Sequence, residues 1–578
     1  MDYDEIDGSL ASDLPAFHLA PSGAGESGFD ATAIDADAGQ SAPYGGGDGT
    51  DGSAELYVPE MIQRFVVYFH KQVRERNVTE VHFIYENTYH KLTDRFYKTS
   101  PWPPAEAIAP LVDEDPTFVM LYKELYYRHI YAKLQPTLDQ RFESWENYGV
   151  IFDYLLTQPP PSAAPSTALD LPNQWLWDIV DEYIYQFQDF CRWRSRLKTK
   201  TADELDQLRE NDQLYSPVTV LRTLQKVVAR SGVLGALAAD GSCSAAAAEH
   251  VAKVAAGGVP PKGEADGAYA ASNLYRMLGY FALVGQLRVH VLLCDYRCAL
   301  RCAAVIDVSK QGLFTRVTAC HIAVCYYLGW AYLMSRRYVD ASRALCSCLV
   351  YLQRTRAYLS RSSQFDSMQK KNEQMFGALA LCLCLCPQPA VDETLVSALN
   401  DKLGDKIARM GRGDESAYED LFSFACPKFV SPCAPDYESV SEGSPFEMYK
   451  LQLSLLLNEV RQVAQLPTVR TYLALYSAID VRKMAAFVEA TPDAFHAQLQ
   501  TVKHKAHQVH WHGGEPLSGT RASSLCDLNF GICDQLVHVS LNRPVKRYSD
   551  FFIRQYKKFD ELLATLQPPK AVTPCPPA

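Results

Sequence analysis

The sequence lacks the features that would place the chain in a membrane or send it through the secretory pathway. Its most apolar run, Phe376 to Cys386, is well short of the roughly 20 residues that span a bilayer. Its first residues are acidic, whereas a secretory leader needs a basic segment there. We therefore expect a soluble, cytoplasmic protein that makes no contact with a membrane.

The 17 cysteines include no Cys-x-x-Cys pair of the kind that holds structural zinc. An odd number of cysteines in a large chain without a leader also argues against a disulfide framework. Cys294, Cys298 and Cys302 recur every four residues, as on one face of a helix, and free cysteine packs as a small hydrophobe. The prediction is reduced thiols that fill the core, with no metal and no cofactor.

Basic charge is absent from the beginning of the chain and is not in excess elsewhere. Of the 67 acidic residues, 12 lie in residues 1–55, which contain no Lys or Arg, so the 56 basic residues balance the acids of the remainder. An electrically balanced body does not hold nucleic acid by overall charge, although a local basic patch stays open. The acidic, Gly- and Ala-rich head has too few apolar residues to order itself and is predicted to be a disordered tail.

Catalytic motifs are also missing: there is no Gly-rich phosphate loop, nucleophile elbow or supported pair of acids. The strongest candidate for chemistry is a cluster of four histidines, of which the first two are spaced to share one face of a helix: His504, His507, His510 and His512. His510-x-His512 matches the start of a zinc metallopeptidase motif, but that motif continues with Ser and Asp where this chain has Thr520 and Ser523. Because a zinc ligand is missing, we predict that the protein is not an enzyme.

What the sequence does contain is aromatic helix, most clearly in residues 171–190, where two tryptophans and four other aromatic residues share one segment. Its apolar positions recur at steps of three and four, and Trp175, Ile179 and Tyr185 widen the stripe beyond one face. This helix must therefore bury more than one side, which indicates packing and assembly. Four basic residues follow at its C-terminal end, where the helix dipole favours positive charge: Arg192, Arg194, Arg196 and Lys198.

Shifts in composition divide the chain into six predicted segments. They are an acidic tail (1–55), an aromatic-rich N-terminal helical domain (56–228), an Ala/Gly-rich mobile insertion (229–270), helical repeats (271–466), a winged helix (467–545), and a C-terminal helix with a tail (546–578). A Pro/Ala stretch at 159–165 is predicted to be a linker within the second segment.

A repeat is visible in the fourth segment. Tyr296 and Ala299 return as Tyr338 and Ala341 after 42 residues, which is close to the period of helical-hairpin repeats. The pattern predicts a short right-handed solenoid of helix pairs, with an ordinary helical bundle as the alternative.

The fifth segment changes character. Predicted helices are followed by two short alternating stretches, 528–532 and 537–541, with a turn between them. Three helices followed by a hairpin is the order of a winged helix. The predicted fold is therefore mainly α: an N-terminal helical domain, a TPR-like solenoid and a winged helix, followed by an amphipathic last helix.

A solenoid of helix pairs that ends in a winged helix resembles the PCI domain. Five blocks are more specific and closely resemble the subunit L family of eukaryotic translation initiation factor 3: Leu121–Lys133, Gln140–Ser144, Leu171–Asp178, Tyr275–Phe281 and Asp550–Gln555. The resemblance covers nearly everything from Val58 to Leu566. It departs from the family in the acidic head, the Pro/Ala linker and the Ala/Gly insertion.

The resemblance implies a non-catalytic scaffold subunit that supports assembly of the pre-initiation complex on the small ribosomal subunit and recruitment of messenger RNA. Its partners would be the other subunits of initiation factor 3, chiefly subunit K and the PCI core subunits. The alternative is a PCI scaffold of another complex, such as a proteasome lid or a signalosome. Composition and periodicity do not distinguish the two.

Two interaction sites follow as hypotheses. The terminal hairpin is predicted to expose a strand edge to a sister subunit through Val537, Val539 and Leu541, and the last helix to join a bundle of equivalent helices through Phe552, Tyr556 and Phe559. The run of Arg192, Arg194, Arg196 and Lys198, with Trp193 inside it, is the candidate RNA contact, weak by itself; a solvated helix end explains the run equally well.

Overall fold

A computed structural model describes residues 58–159, 169–240, 269–306, 312–360, 364–386, 391–437, 446–463, 466–511, 516–523, 528–541 and 549–566. The predicted acidic tail and most of the predicted linker and insertion lie outside these ranges. The chain divides into two compact units: one comprises Met1–Ala464 with His507–Ser524, and the other Gln465–Ala506 with Leu525–Ala578.

The first unit begins with short and long helices rich in aromatic residues. Its α-helices are α1 (Glu60–Glu75), α2 (Val78–Phe83), α3 (Tyr89–Phe96), α4 (Ala105–Ile108), α5 (Pro116–Lys133), α6 (Leu138–Thr157), α7 (Asn173–Arg194) and α8 (Ala202–Glu210). A π-helix (Ile84–Thr88) joins α2 to α3, and 3-10 turns occupy Ala109–Val112 and Leu197–Thr199.

Local capping explains where several of these helices start. The Asp115 side chain accepts the backbone N–H of Thr117 ahead of Pro116 at the start of α5. A reciprocal capping box between Thr137 and Gln140 starts α6. These caps satisfy N–H groups that the first turn of a helix leaves without partners.

Helix α7 is the tryptophan helix, and it buries more than one side as predicted. Trp175 stacks on Tyr85 and Phe69, while Trp177 meets Phe281 edge-on. Tyr185 departs from the prediction, because it is exposed rather than part of the buried stripe.

The prediction of a mobile insertion from residue 229 is wrong for residues 229–239, which are helical apart from the turn at Gly232. Helix α9 (Pro217–Ser231) is followed by α10 (Val233–Ala239), and Val233, Leu234 and Leu237 of α10 are buried in the core. Three apolar side chains on two turns were enough to anchor this Ala-rich helix. Gly232, with φ +62°, makes the turn between α9 and α10.

Helix pairs follow in the order that the repeat predicted. They are α11 (Asn273–Leu292) with α12 (Tyr296–Ala303), α13 (Thr318–Met334) with α14 (Tyr338–Leu359), then α15 (Phe365–Leu385), α16 (Glu393–Gly411), α17 (Glu415–Ala425) and α18 (Glu447–Val463). A 3-10 turn, Leu313–Arg316, precedes α13.

The 42-residue period is confirmed in the backbone. Tyr296 and Tyr338 each begin the second helix of a pair. The preceding turns match as well, because Cys294 and Arg336 both have φ of 62°. A left-handed residue at the end of a helix, closed by backbone bonds to its last turn, is a common C-terminal motif. The two turns are therefore equivalent parts of a repeated unit.

The second unit contains α19 (Leu466–Leu473), β1 (Ala478–Asp480), α20 (Val481–Phe487), α21 (Pro492–Ala506), β4 (Leu528–Cys533), β5 (Leu536–Leu541) and α22 (Ser549–Leu566). Its strands form an antiparallel sheet in the order β1-β5-β4. Three helices followed by the β4–β5 hairpin is the order that the sequence predicted. Phe495, Leu499 and Val537 lie at the centre of its small core and are fully buried.

A second, two-stranded sheet belongs to the first unit although its sequence interrupts the second. Strands β2 (His507–His510) and β3 (Thr520–Ser523) pair antiparallel, with His507 opposite Ser523. The described residues outside the two sheets are mostly helical, so the mainly α fold class is confirmed. No helix in the described part of the chain has both the length and the apolar character that crossing a bilayer requires.

Candidate functional site

The terminal hairpin does not offer the strand edge that the sequence predicted. Strand β5 lies in the middle of its sheet, paired with β1 on one side and β4 on the other. The Val539 N–H is bonded to Ser477, and the Val537 side chain is fully buried. Both valines therefore serve the core of their own unit, and the strand-edge hypothesis is wrong for them. Leu541 pairs with Leu528 in the ladder.

The outer strand of this sheet is β4. In the ladder Phe530 faces Val539, whose N–H points toward β1, so the backbone groups of Phe530 point away from β5. The Lys503 ammonium donates a hydrogen bond to the Phe530 carbonyl at 2.6 Å. A lysine at a strand edge opposes the addition of another strand. This edge is therefore partly blocked.

Helix α22 carries a large exposed apolar surface, which we call the α22 face. Phe551 is half-buried, whereas six large apolar side chains of this helix are more than half exposed: Phe552, Ile553, Tyr556, Phe559, Leu562 and Leu563. Phe552, Tyr556, Phe559 and Leu563 follow steps of four, three and four, so they form one stripe. Contiguous apolar surface of this kind marks an interaction site.

The basic run at the end of α7 is divided by burial, and its last two members lie beyond the helix, which ends at Arg194. Arg196 and Lys198 are exposed and Arg192 is half-buried, but the Arg194 side chain is only 4% exposed. Arg194 lies over the ring of Phe190 at 5.6 Å, and its guanidinium donates to the Cys191 sulfur at 3.8 Å. The prediction of an RNA contact is therefore wrong for Arg194, which helps to pack the helix end. Arg196 and Lys198 remain candidates.

Other cations extend this basic end. Partial burial of the Lys428 ammonium lowers its pKa, and the positive charge of nearby Arg192 lowers it further. Lys200 is stacked on the Trp193 ring, with Nζ 3.0 Å from the ring centroid, and burial lowers its pKa to about 8. The positive surface is thus built from two separate parts of the chain, and only one of these was visible as a run in the sequence.

The β2–β3 hairpin docks on α14 through buried charge, an arrangement that the sequence did not reveal. The Asp340 carboxylate accepts the Trp511 N–H at 3.0 Å, and Arg337 pairs with Asp340 at 2.8 Å. Arg337 also donates to the carbonyl of Pro516. The side chain of Asp340 is 2% exposed and that of Arg337 7%. The buried charges and hydrogen-bonding groups of this contact are therefore paired with one another within the first unit.

Two clusters of metal-ligand residue types exist among the described residues. His290, Asp295 and Cys298 lie at the turn between α11 and α12, where Asp295 already caps α12 by accepting the Cys298 N–H. His321, Cys325 and Cys348 lie between α13 and α14, and both cysteines are fully buried. A hydrogen bond from Cys348, and then the nearby His321, lower the pKa of Cys325.

The histidines of the predicted cluster that the structure describes do not share a helix. Helix α21 ends at Ala506, so His504 lies on the helix while His507 and His510 lie on β2. His512 is outside the described residues. The helical face that the spacing suggested for His504 and His507 is therefore not formed, because β2 begins between them.

Comparison with known proteins gives consistent matches over most of the chain. The sequence model of the family described as "RNA polymerase I-associated factor PAF67" matches residues 140–559. Eukaryotic translation initiation factor 3 subunit L of Nematostella vectensis is 42% identical over 535 residues, which cover 92% of this chain and 98% of that protein. The subunit L proteins of Danio rerio (42% identical, covering 88% of this chain and 89% of the relative) and Homo sapiens (41%, covering 88% and 91%) match over 533 residues each.

Proposed function

Because this chain belongs to the family of eukaryotic translation initiation factor 3 subunit L, we propose that it is a non-catalytic scaffold subunit of that factor. In this role it supports assembly of the pre-initiation complex on the small ribosomal subunit and recruitment of messenger RNA in the cytoplasm. The names of the relatives favour this role over the alternative of a scaffold in a proteasome-lid or signalosome-like complex. Its partners are the other subunits, chiefly subunit K and the PCI core subunits.

The α22 face is the observation that carries the scaffold proposal. Its ring-bearing side chains lie on the outside of a helix, where water meets apolar surface at a cost of roughly 25 cal/mol for each Å². A partner helix laid along this stripe would bury it in the helix-in-groove manner. We place the principal docking site on Phe552, Tyr556 and Phe559 rather than on β5, since β5 is enclosed by its own sheet.

We expect that Tyr556→Asp combined with Phe559→Asp abolishes co-purification with subunit K when the two chains are co-expressed. Two carboxylates in the centre of the apolar stripe would have to be desolvated in the complex, which costs several kcal/mol and at least a 100-fold loss of affinity. Pull-down followed by analytical ultracentrifugation measures the loss.

The matched control is Lys557→Asp, which changes the net charge by the same amount at an exposed position off the stripe. This variant should bind normally. Equal retention of subunit K by the double variant, with its circular dichroism unchanged, would refute docking on the α22 face.

We also propose that Arg196 and Lys198 contact ribosomal or messenger RNA, supported by their exposure and by the nearby positive charge of Lys428 and Arg192. Arg196→Glu with Lys198→Glu should weaken RNA binding and reduce the slope of log K against log salt by about 2, roughly one for each lost phosphate contact. Fluorescence anisotropy across a salt series measures the slope.

A control with the same charge change is Arg222→Glu with Lys226→Glu, two exposed residues of α9. The slope should not change in this control. If both double variants lower the slope equally, the binding depends on net charge and not on the end of α7.

A further inference from the structure

Three side chains with soft metal-binding atoms meet between two helices of the repeat. His321 and Cys325 are one turn apart on α13, and Cys348 reaches them from α14. One ligand atom from each lies within 4.8 Å of the other two. Thiolate and imidazole ligands suit Zn²⁺ and Cu⁺.

A close approach of the two helices explains why this cluster forms. At Gly329, one turn after Cys325, an added Cβ would lie 2.8 Å from the side chain of Leu345, one turn before Cys348. Only a residue without a Cβ lets α14 come this near to α13. The approach brings Cys348 close to a pair already aligned on one face of α13.

The histidine at this position has a buried polar atom without a hydrogen bond. His321 is 9% exposed, and its Nδ1 is buried with no partner among the described residues. The ring is held between Phe314 and Tyr351, with centroids 5.0 and 4.8 Å away. An unsatisfied buried polar group costs about 1–3 kcal/mol. A hydrophobic filler at this position would avoid the cost.

We propose that His321, Cys325 and Cys348 bind one Zn²⁺ ion that fastens α13 to α14. Binding displaces the two thiol protons, and the two thiolates then neutralise the charge of the ion, as a dry core requires. Cu⁺ with the same ligands would leave a net negative charge among apolar side chains. Three protein ligands leave the fourth position of a tetrahedral zinc ion to water or another oxygen ligand.

This site differs from the other histidine cluster in what its ligand atoms already do. His290 pairs with Asp295 at 3.6 Å, and the same aspartate caps α12, so those groups are satisfied without a metal. At the proposed site the His321 Nδ1 atom has no partner among the described residues, and an ion would give it one. The site also lies outside the α22 face and the end of α7, so it stands whether or not the proposed scaffold function holds.

The test is the metal content of the full-length protein, purified under reducing conditions without chelator or added metal and measured by inductively coupled plasma mass spectrometry. We expect about one zinc per chain in the wild type and in Cys346→Ala, and a loss of at least five-fold in Cys348→Ala. Cys346 is the matched control, since it is a buried cysteine on the same helix. A wild-type protein without zinc, stoichiometric copper, or equal zinc in both variants would overturn the proposal.

A second measurement does not depend on the folding of a variant. Wild-type protein produced with Co²⁺ in place of zinc should show thiolate-to-cobalt charge-transfer absorption, with an intensity that fits two sulfur ligands. Absence of this absorption, or mass spectrometry showing a Cys325–Cys348 disulfide in the freshly purified reduced protein, would rule out the site.

Discussion

Replacing Glu124 by alanine is expected to lower the free energy of unfolding of the first unit by about 3–5 kcal/mol, since it leaves a buried charge without its partner. The Glu124 side chain is fully buried on α5 and pairs with Arg128 one turn further along. It also accepts hydrogen bonds from the Trp175 indole at 3.1 Å and the Tyr148 hydroxyl at 3.2 Å. One carboxylate therefore joins α5, α6 and α7.

The expected loss of stability is large because the polar partners of Glu124 remain buried after the substitution. After the substitution the Trp175 N–H and the Tyr148 O–H are buried without acceptors, and Arg128 keeps only Asp178, at 3.6 Å, as an ionic partner. Burial raises the pKa of Glu182 to about 8, so this neighbour is mostly protonated at neutral pH and does not replace the lost charge.

Urea denaturation followed by tryptophan fluorescence measures this loss. All seven tryptophans lie in the first unit, so the signal reports on that unit. Glu143→Ala is the control, because Glu143 is exposed on α6 and accepts only a peripheral bond from Tyr127 at 2.7 Å. We expect less than about 1 kcal/mol for the control. Equal losses in both variants would contradict the central role of Glu124.

Asp340→Ala should release the β2–β3 hairpin from α14 and destabilise the first unit by about 3 kcal/mol or more. The variant removes the acceptor of the Trp511 N–H and the partner of the buried Arg337. Arg337 would retain its bonds to the carbonyls of Pro516 and Ser518, but its charge would be uncompensated. Both strands are short, and a two-stranded sheet of this size is marginal alone.

Hydrogen exchange with mass spectrometry tests this prediction directly. Protection of residues 507–510 and 520–523 should fall at least ten-fold in Asp340→Ala, while α1 to α8 keep their protection. Arg343→Ala is the comparison: Arg343 is 45% exposed and donates to the Trp511 carbonyl at 3.0 Å, so its loss should change protection little. Undiminished protection of the hairpin in Asp340→Ala would show that the strands hold without the buried carboxylate.

Elements with a strong local pattern could be predicted from the sequence. The tryptophan helix has enough apolar side chains to fix its type and its burial, and the 42-residue shift located equivalent turns at Cys294 and Arg336. The burial of Tyr185 was predicted wrongly, because residue spacing gives the angle of a side chain around its helix but not how far the neighbouring elements cover that face. The exposed stripe of Phe552, Tyr556 and Phe559 was recognisable because amphipathic spacing depends only on nearby residues.

Pairings between distant parts of the chain could not be predicted in this way. Strand β1 is three residues long and precedes two helices, so nothing local indicates that it encloses β5. Strands β2 and β3 lack alternating apolar residues. Their position depends on the contact with Asp340 in the solenoid, which is distant in sequence. The cluster of His321, Cys325 and Cys348 was missed for the same reason: a search for Cys-x-x-Cys finds ligands on one loop, not on two packed helices.

The docking of the β2–β3 hairpin on α14 has a consequence for how the chain folds during its synthesis. Asp340 and the Trp511 N–H that it binds are 171 positions apart, so the carboxylate and Arg337 emerge from the ribosome long before the segment that covers them. Synthesis proceeds from the N-terminus, and early-made regions collapse first. In the nascent solenoid the Arg337–Asp340 pair therefore stays uncovered until the segment that contains Trp511 has been made.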